Sequence, residues 1–443
     1  MLMTGSFAIT NVNIVSEDAK DGLLHGYNVV VGPDGRIAKV GAGNRTGIPD
    51  GYHRIDGTGR YLLPGLINAH VHLFSNGKPL SATLTGPTFQ HAVSAALHSP
   101  LGALLIAHRT KVNARTLLLS GVTTFRTVGD VGYEAVRLRE RIESGKELGA
   151  RMLAAGPLLA ITGGHGSPQI ALIGDSPSQN RKNARTNIMH GVTAIKIAAT
   201  GGVTDARRIG DAGRPQMSEE EMAAICEEAH HAGLLVAAHA QSPLGVTMAL
   251  RAGVDTIEHG CAMNSEIIDL FGDNPRSLRG WSALIPTLSA ALPLVKLSTE
   301  VTGVDEIVVA NARIAVDEMV QGIHDAKENG IALGMGTDTA MTYVTQYNTW
   351  RELALLNEYG DLTPQEAIHA ASAENARILG FDQVTGRIAQ GLSADLLLLK
   401  RNPLNDWRAY EHPEFVIARG RVLQNPQIER FELVDNELDA MKA

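Results

Sequence analysis

The chain has 443 residues, 44% of them hydrophobic but only 4% aromatic, with a formal charge of −8. That length exceeds one ordinary domain and suits a large barrel with a smaller appendage, its core built mainly of Ala, Val, Ile and Leu. An acidic balance offers no field for phosphate backbones or anionic lipid, which argues against nucleic-acid and membrane partners.

The opening MLMTGSFAITNVNIV has no basic region followed by a sustained apolar core. No later stretch reads as a bilayer span, so the cytoplasm is the expected compartment. Cys226 and Cys261 are too few for a disulfide framework and lack CxxC spacing. Residues 6–14 and 27–40 alternate like strands around the turn Pro33-Asp34-Gly35, and a further short run ends near Tyr61. No helix separates them. The far end behaves alike, with apolar runs at 394–399 and 415–418 and a tight turn at Gly420-Arg421. Residues 1–61 and 381–443 are therefore expected to form one composite β-sandwich, with 62–380 folding as an inserted domain.

Within that insertion, short apolar runs alternate with amphipathic helices. Strands are expected at 62–69, 121–127, 152–159, 192–198, 234–239, 254–258, 283–288 and 331–336. Eight βα units predict an α/β fold, a closed (β/α)8 TIM barrel. Ahead of the fifth strand, Ser218 with Glu221 makes a capping box, Met222, Ile225, Cys226 and Ala229 make an apolar stripe, and Gly233 stops the helix. His230 and His231 then read as partners of the helix dipole. The connection 73–120 is unusually long, with Gly77, Pro79, Gly86 and Pro87 ahead of a helical stretch broken at Pro100. Connections of that size on a barrel commonly cover the site, so it is expected to contain a lid, the alternative being a subunit contact.

The stretch LLPGLINAHVH at 62–72 ends in two histidines two residues apart. On a strand, His70 and His72 share a face. Such a pair also arises by chance among 16 histidines, so its meaning depends on whether further ligand-type residues stand on the later strands. Lys196 lies inside the apolar run TAIKIAA, where a lone ammonium is costly to bury. Strand five ends in His239, strand six in His259 and strand eight in Asp338. Each alone reads more readily as structural. Together they put ligand-type residues on five strands, at the end of a barrel where active sites are built.

These residues resemble the amidohydrolase superfamily, over nearly the whole chain: PGLINAHVH, Lys196, His239, His259 within AGVDTIEHG, Asp338, and GRIAQGLSADLLLL with Gly391 and Asp395. ITGGHG (161–166), IKIAATGGV (195–203) and VAAHA (236–240) are similar to the metal-dependent dipeptidase and carboxypeptidase branch, a prolidase-like, Xaa-Arg/Lys dipeptidase and ochratoxinase-like group. The resemblance implies that Lys196 is N6-carboxylated by CO2 and bridges two divalent metal ions. His70 and His72 with Asp338 would hold one, and His239 and His259 the other. These ligand types suit zinc, with manganese, cobalt and nickel as other options. A metal-bridging hydroxide would attack the scissile carbonyl, Asp338 would carry its proton to the leaving amine, and His165 would contact the oxyanion or substrate. For His165 a hydrogen bond within its turn is the competing expectation.

Deaminating and imidazolone-opening members of that superfamily lack the strand-four lysine and place a glutamate soon after the strand-five histidine. Here Ala240, Gln241 and Ser242 follow His239, which favours amide hydrolysis. Gln241 is a candidate substrate contact. A substrate carboxylate would be met by Arg126 or Arg214, each of which also fits a structural ion pair. The expected activity is cleavage of a C–N amide bond in a dipeptide or N-acyl amino acid. The alternatives are a hydrolase of aryl amides, ureas or carbamates, and a non-catalytic barrel acting in binding or assembly. A homo-oligomer acting on a small molecule is expected.

Overall fold

The computed structural model describes residues 2–3, 5–17, 19–79 and 87–441. Residues 80–86, part of the connection expected to hold a lid, lie outside these. Strands from both ends of the chain join by hydrogen bonds into one nine-stranded sheet. Its spine runs from Arg421–Gln424 through Phe415–Ala418, Leu396–Leu399 and Tyr61–Pro64 to Phe7–Val15, Leu23–Val31 and Ile37–Ala42. Leu2–Met3 extends one edge, and His53–Asp56 lies parallel to Phe7–Val15.

Four consecutive leucines form the central strand because both of its faces are covered. Leu396 and Leu398 pack with Ile9, Val29, Leu62 and Ile417 in the core of the terminal sheet. Leu397 and Leu399, pointing the other way, join Leu63, Val416 and Ala418 in the core of the α/β region.

Parallel strands make up that region. Val122–Thr127 lies between Leu66–Val71 and Arg151–Leu153, and a seven-stranded sheet carries Ile195–Ala198, Val236–Ala240, Thr256–His259, Ala283–Ile285 and Ala332–Leu333 in order. Backbone hydrogen bonds link the groups, among them Ala69 N to Met335 O at 3.0 Å and Thr193 N to Ala154 O at 2.9 Å.

Two expected strands are divided. The run 62–69 changes sheet at Gly65, where a Cβ would lie 2.2 Å from the Thr123 hydroxyl oxygen. Tyr61–Pro64 belongs to the terminal sheet, and Leu66–Val71 opens the parallel array. The run 152–159 jogs at Gly156, in the left-handed region with φ of 66°, giving Arg151–Leu153 and Leu158–Ala160. The seventh strand stops at Ile285 because Pro286 cannot donate to the ladder.

The helix Glu219–His231 has the expected reciprocal capping box between Ser218 and Glu221. His230 meets Asp255 at 3.0 Å, a specific partner beyond the helix dipole. Both cysteines are buried free thiols. In the long connection, helix Pro100–Leu119 starts at Ser99, whose hydroxyl accepts from Gly102 N. Its Ala114, Leu117 and Leu118 pack into the main core. Among the described residues no helix is long and apolar enough to cross a membrane.

Candidate metal site

The ends of the parallel strands bring four histidines, a lysine and an aspartate into one buried cluster. His70 Nδ1 faces the Glu258 carboxylate at 2.7 Å, and its Nε2 lies 3.3 Å from Asp338 Oδ1. His72 Nε2 approaches the same oxygen at 3.1 Å, while its Nδ1 meets the Gly129 carbonyl at 2.8 Å. A carbonyl only accepts, so the proton sits on Nδ1 and Nε2 is the nitrogen left to coordinate. His259 Nδ1 contacts the Thr287 hydroxyl at 2.7 Å. The His239 ring lies 4.6 Å from that of His259, with its Nε2 on the Gly201 carbonyl at 3.0 Å.

Ligand atoms of His70, His259 and Asp338 fall within 4.8 Å of one another, a spacing able to hold a metal ion. This grouping crosses the expected division, which set His259 with His239. Both His259 and Asp338 have left-handed backbones, with φ of 70° and 57°. Such conformations cost non-glycine residues about 1–3 kcal/mol each and persist where surrounding contacts impose them. Here the Asp338 amide donates to the His70 carbonyl at 2.9 Å, tying strand eight to strand one.

Burial sets the charges. It pushes the His72, His239 and His259 imidazoles below their ordinary value, leaving them neutral as metal ligation requires. Burial alone would raise the Asp338 carboxyl, but His70 and His72 hold it well below the usual carboxylate range. Lys196 is 3% exposed, and its Nζ has no hydrogen-bond partner among the described residues. Burial lowers its pKa to about 8 against the opposing pull of Glu258 and Asp338.

The amidohydrolase family model matches residues 61–423. The chain belongs to the amidohydrolase family. It is accordingly a metal-dependent hydrolase. A structure described as a presumptive prolidase from Bifidobacterium longum is 50% identical with a TM-score of 0.87, covering 100% of both chains. A Xaa-Pro dipeptidase with methionine bound in its active site is 27% identical with a TM-score of 0.79, covering 95% of this chain and 100% of that one. Ochratoxinase of Aspergillus niger is 25% identical over 395 residues, 83% of this chain and 76% of that protein.

In this amidohydrolase, Glu258 is the residue that sequence reasoning missed. It accepts from Arg126 Nη2 at 2.7 Å while it orients His70. Burial would raise its carboxyl, but the Arg126 charge and the His70 hydrogen bond hold it well below the ordinary range. The signal was an acid in the buried run TIEH and a guanidinium in the buried run VTTFRT, two strand-interior charges that each require a partner. Arg126 as a substrate contact is thereby corrected. It is 0% exposed and also donates to Ala69 O and Thr256 Oγ1, so the ion-pair alternative describes it.

Arg214 is exposed and lies 4.0 Å from Asp211. Gln241 is buried with its side-chain oxygen unpartnered. His165 is hydrogen-bonded at its turn, as the competing expectation has it: its backbone amide donates to Gln216 and its Nδ1 pairs with Asp205, while its ring stacks 4.1 Å from that of His239.

Proposed function

We propose that this amidohydrolase cleaves the C–N amide bond of a dipeptide or N-acyl amino acid at a binuclear metal centre formed by His70, His72, Lys196, His239, His259 and Asp338. The observation that carries this is Lys196 Nζ, buried and unpartnered beside a cluster of imidazoles and a carboxylate. As an ammonium it would repel cations. Its lowered pKa supplies neutral amine near pH 7, which adds to CO2 with formation of an N–C bond and loss of one proton. The product is an anion suited to bridging two cations, and the accompanying imidazole and carboxylate donors suit zinc. When bound, the metals supply Lewis-acid activation of water and of the scissile carbonyl.

The chain's own groups supply the rest. Asp338, held ionised, is suited to take a proton from the attacking water and pass it to the leaving amine. We assign His165, stacked on His239, to the substrate carbonyl oxygen, and the Gln241 oxygen, without a hydrogen-bond partner among the described residues, to a substrate N–H. The prolidase and Xaa-Pro dipeptidase likenesses support a dipeptide-type substrate. A second reading, hydrolysis of aryl amides, ureas or carbamates, is favoured by the burial of Arg126, which removes one partner for a substrate carboxylate, and by the ochratoxinase relative.

Elemental analysis followed by a screen of dipeptides, N-acyl amino acids and aryl amides separates these readings. Binuclear metal stoichiometry with turnover of the first two classes is expected. Turnover of aryl amides alone would select the second reading. A protein without transition metal, and not activated by zinc plus bicarbonate, would overturn both.

We also propose that the parallel strands close as a (β/α)8 barrel with the terminal sheet folded into a sandwich, supported by the Ala69–Met335 and Thr193–Ala154 bonds. A lid role for the segment after His72 is supported by its ties to the strand-eight loop, where Tyr343 N donates to Gly77 O and Gln346 Nε2 to Ser75 O. The helix of that connection exposes Leu101, Leu104, Leu105 and Val112 at helical spacing, which supports a self-association face. Leu104→Glu with Leu105→Glu is expected to yield a smaller species by light scattering; an unchanged mass would remove this face from the assembly.

A further inference from the structure

Helix Leu288–Lys296 begins in an uncommon way. Thr287 stands at its N-cap, where a threonine hydroxyl ordinarily accepts from a first-turn amide, yet it makes no such bond. Its hydroxyl contacts His259 Nδ1 instead. The first-turn amides go to Glu352, on the neighbouring helix Thr349–Tyr359. Its Oε1 accepts from Leu288 N and its Oε2 from Ser289 N, each at 2.7 Å.

Glu352 is 0% exposed, and among the described residues no ion pair to a basic side chain is found for it. A buried carboxylate without a counter-cation is costly. The free amides and positive dipole end of a helix offset part of that cost, and burial still pushes the Glu352 carboxyl up to about 7.

We infer that Glu352 is a positioning residue of the metal site, acting through Thr287 on His259. By capping the helix from outside, it fixes the Thr287 backbone and leaves the hydroxyl to accept the His259 Nδ1 proton. His259 then presents Nε2 to the metal, in the left-handed backbone conformation that this bond helps to hold. The inference rests on the metal-binding role proposed above for His259. It adds two residues, far from the ligands in sequence, that decide which nitrogen of His259 coordinates.

The test is metal affinity, measured by chelator competition and elemental analysis on Glu352→Gln, Thr287→Val, Thr287→Ser and the Glu352→Gln/Thr287→Val double variant, with folding followed by Tm. Glutamine preserves volume but turns an amide NH2 toward one of the helix N–H groups. Valine removes the hydroxyl without touching the cap, so the inference stays testable if Glu352→Gln does not fold. One metal equivalent is expected to bind about 10–100-fold more weakly in both single variants, the double variant no worse than either, and Thr287→Ser close to wild type. Wild-type affinity for both equivalents in Thr287→Val overturns the inference alone. A wild-type protein that binds no transition metal overturns it together with the catalytic reading.

Discussion

If Lys196 carries the bridging anion proposed above, Lys196→Ala is expected to lower kcat/KM by at least about 10^3-fold, since its loss would remove several kcal/mol of metal-based stabilisation. The side chain is buried, so its removal leaves a space bounded by the charges of Glu258, Asp338 and Arg126. Added acetate or propionate is expected to enter that space and restore part of the activity together with metal content. Rescue by a carboxylate and not by a primary amine is the decisive comparison, since it separates a carboxylated lysine from a plain ammonium. Near-normal activity in the unrescued variant would refute the bridging role.

Asp338→Asn is the second large effect. Asparagine keeps the shape and the left-handed backbone that Asp338 adopts, a conformation asparagine tolerates well. It cannot accept a proton or supply negative charge beside His70 and His72. A fall in kcat of roughly 10^2–10^4-fold is expected, the range for loss of a positioned general acid–base group. KM should move much less. Measuring kcat in metal-saturated protein separates proton transfer from metal loss, and near-normal turnover there would assign the proton to another group.

The main cluster was legible in the sequence because its members stand where apolar strands end. His70, His72, His239, His259 and Asp338 each close a buried run, and Lys196 interrupts one, so the strand pattern alone brings them together. What the pattern could not show is pairing between charges on different strands. Glu258 precedes His259 and so faces away from it along the strand, and nothing in the sequence names it as the ion-pair partner that lies 2.7 Å from Arg126. Thr287 and Glu352 were hidden for a similar reason, since the Thr287 hydroxyl meets a histidine 28 residues earlier and Glu352 caps a helix that starts 64 residues before it.

The division of 62–69 escaped for a different physical reason. Leu62, Leu63, Leu66 and Ile67 are all buried, so the apolar run is continuous across Gly65 although the chain passes from one sheet to another. Hydrophobic periodicity reports burial and cannot say which core provides it.

The leucine strand near the end of the chain has a consequence for the timing of folding. Leu396–Leu399 pairs with Tyr61–Pro64, and Arg60 binds Glu414 across 354 residues of sequence. On a ribosome, the strand that leads into His70 has no partner on this side until Leu396–Leu399 has emerged. Until then Leu62 has Ile9, Ile14 and Val29 beside it but not Leu396 and Leu398, and contacts of such long range are slow to form. Joining of the two ends into the terminal sheet is therefore a late event, and Leu397 and Leu399 of the joining strand also pack into the core of the α/β region. Synthesis must pass Leu396–Leu399 before the two ends of this sheet can join.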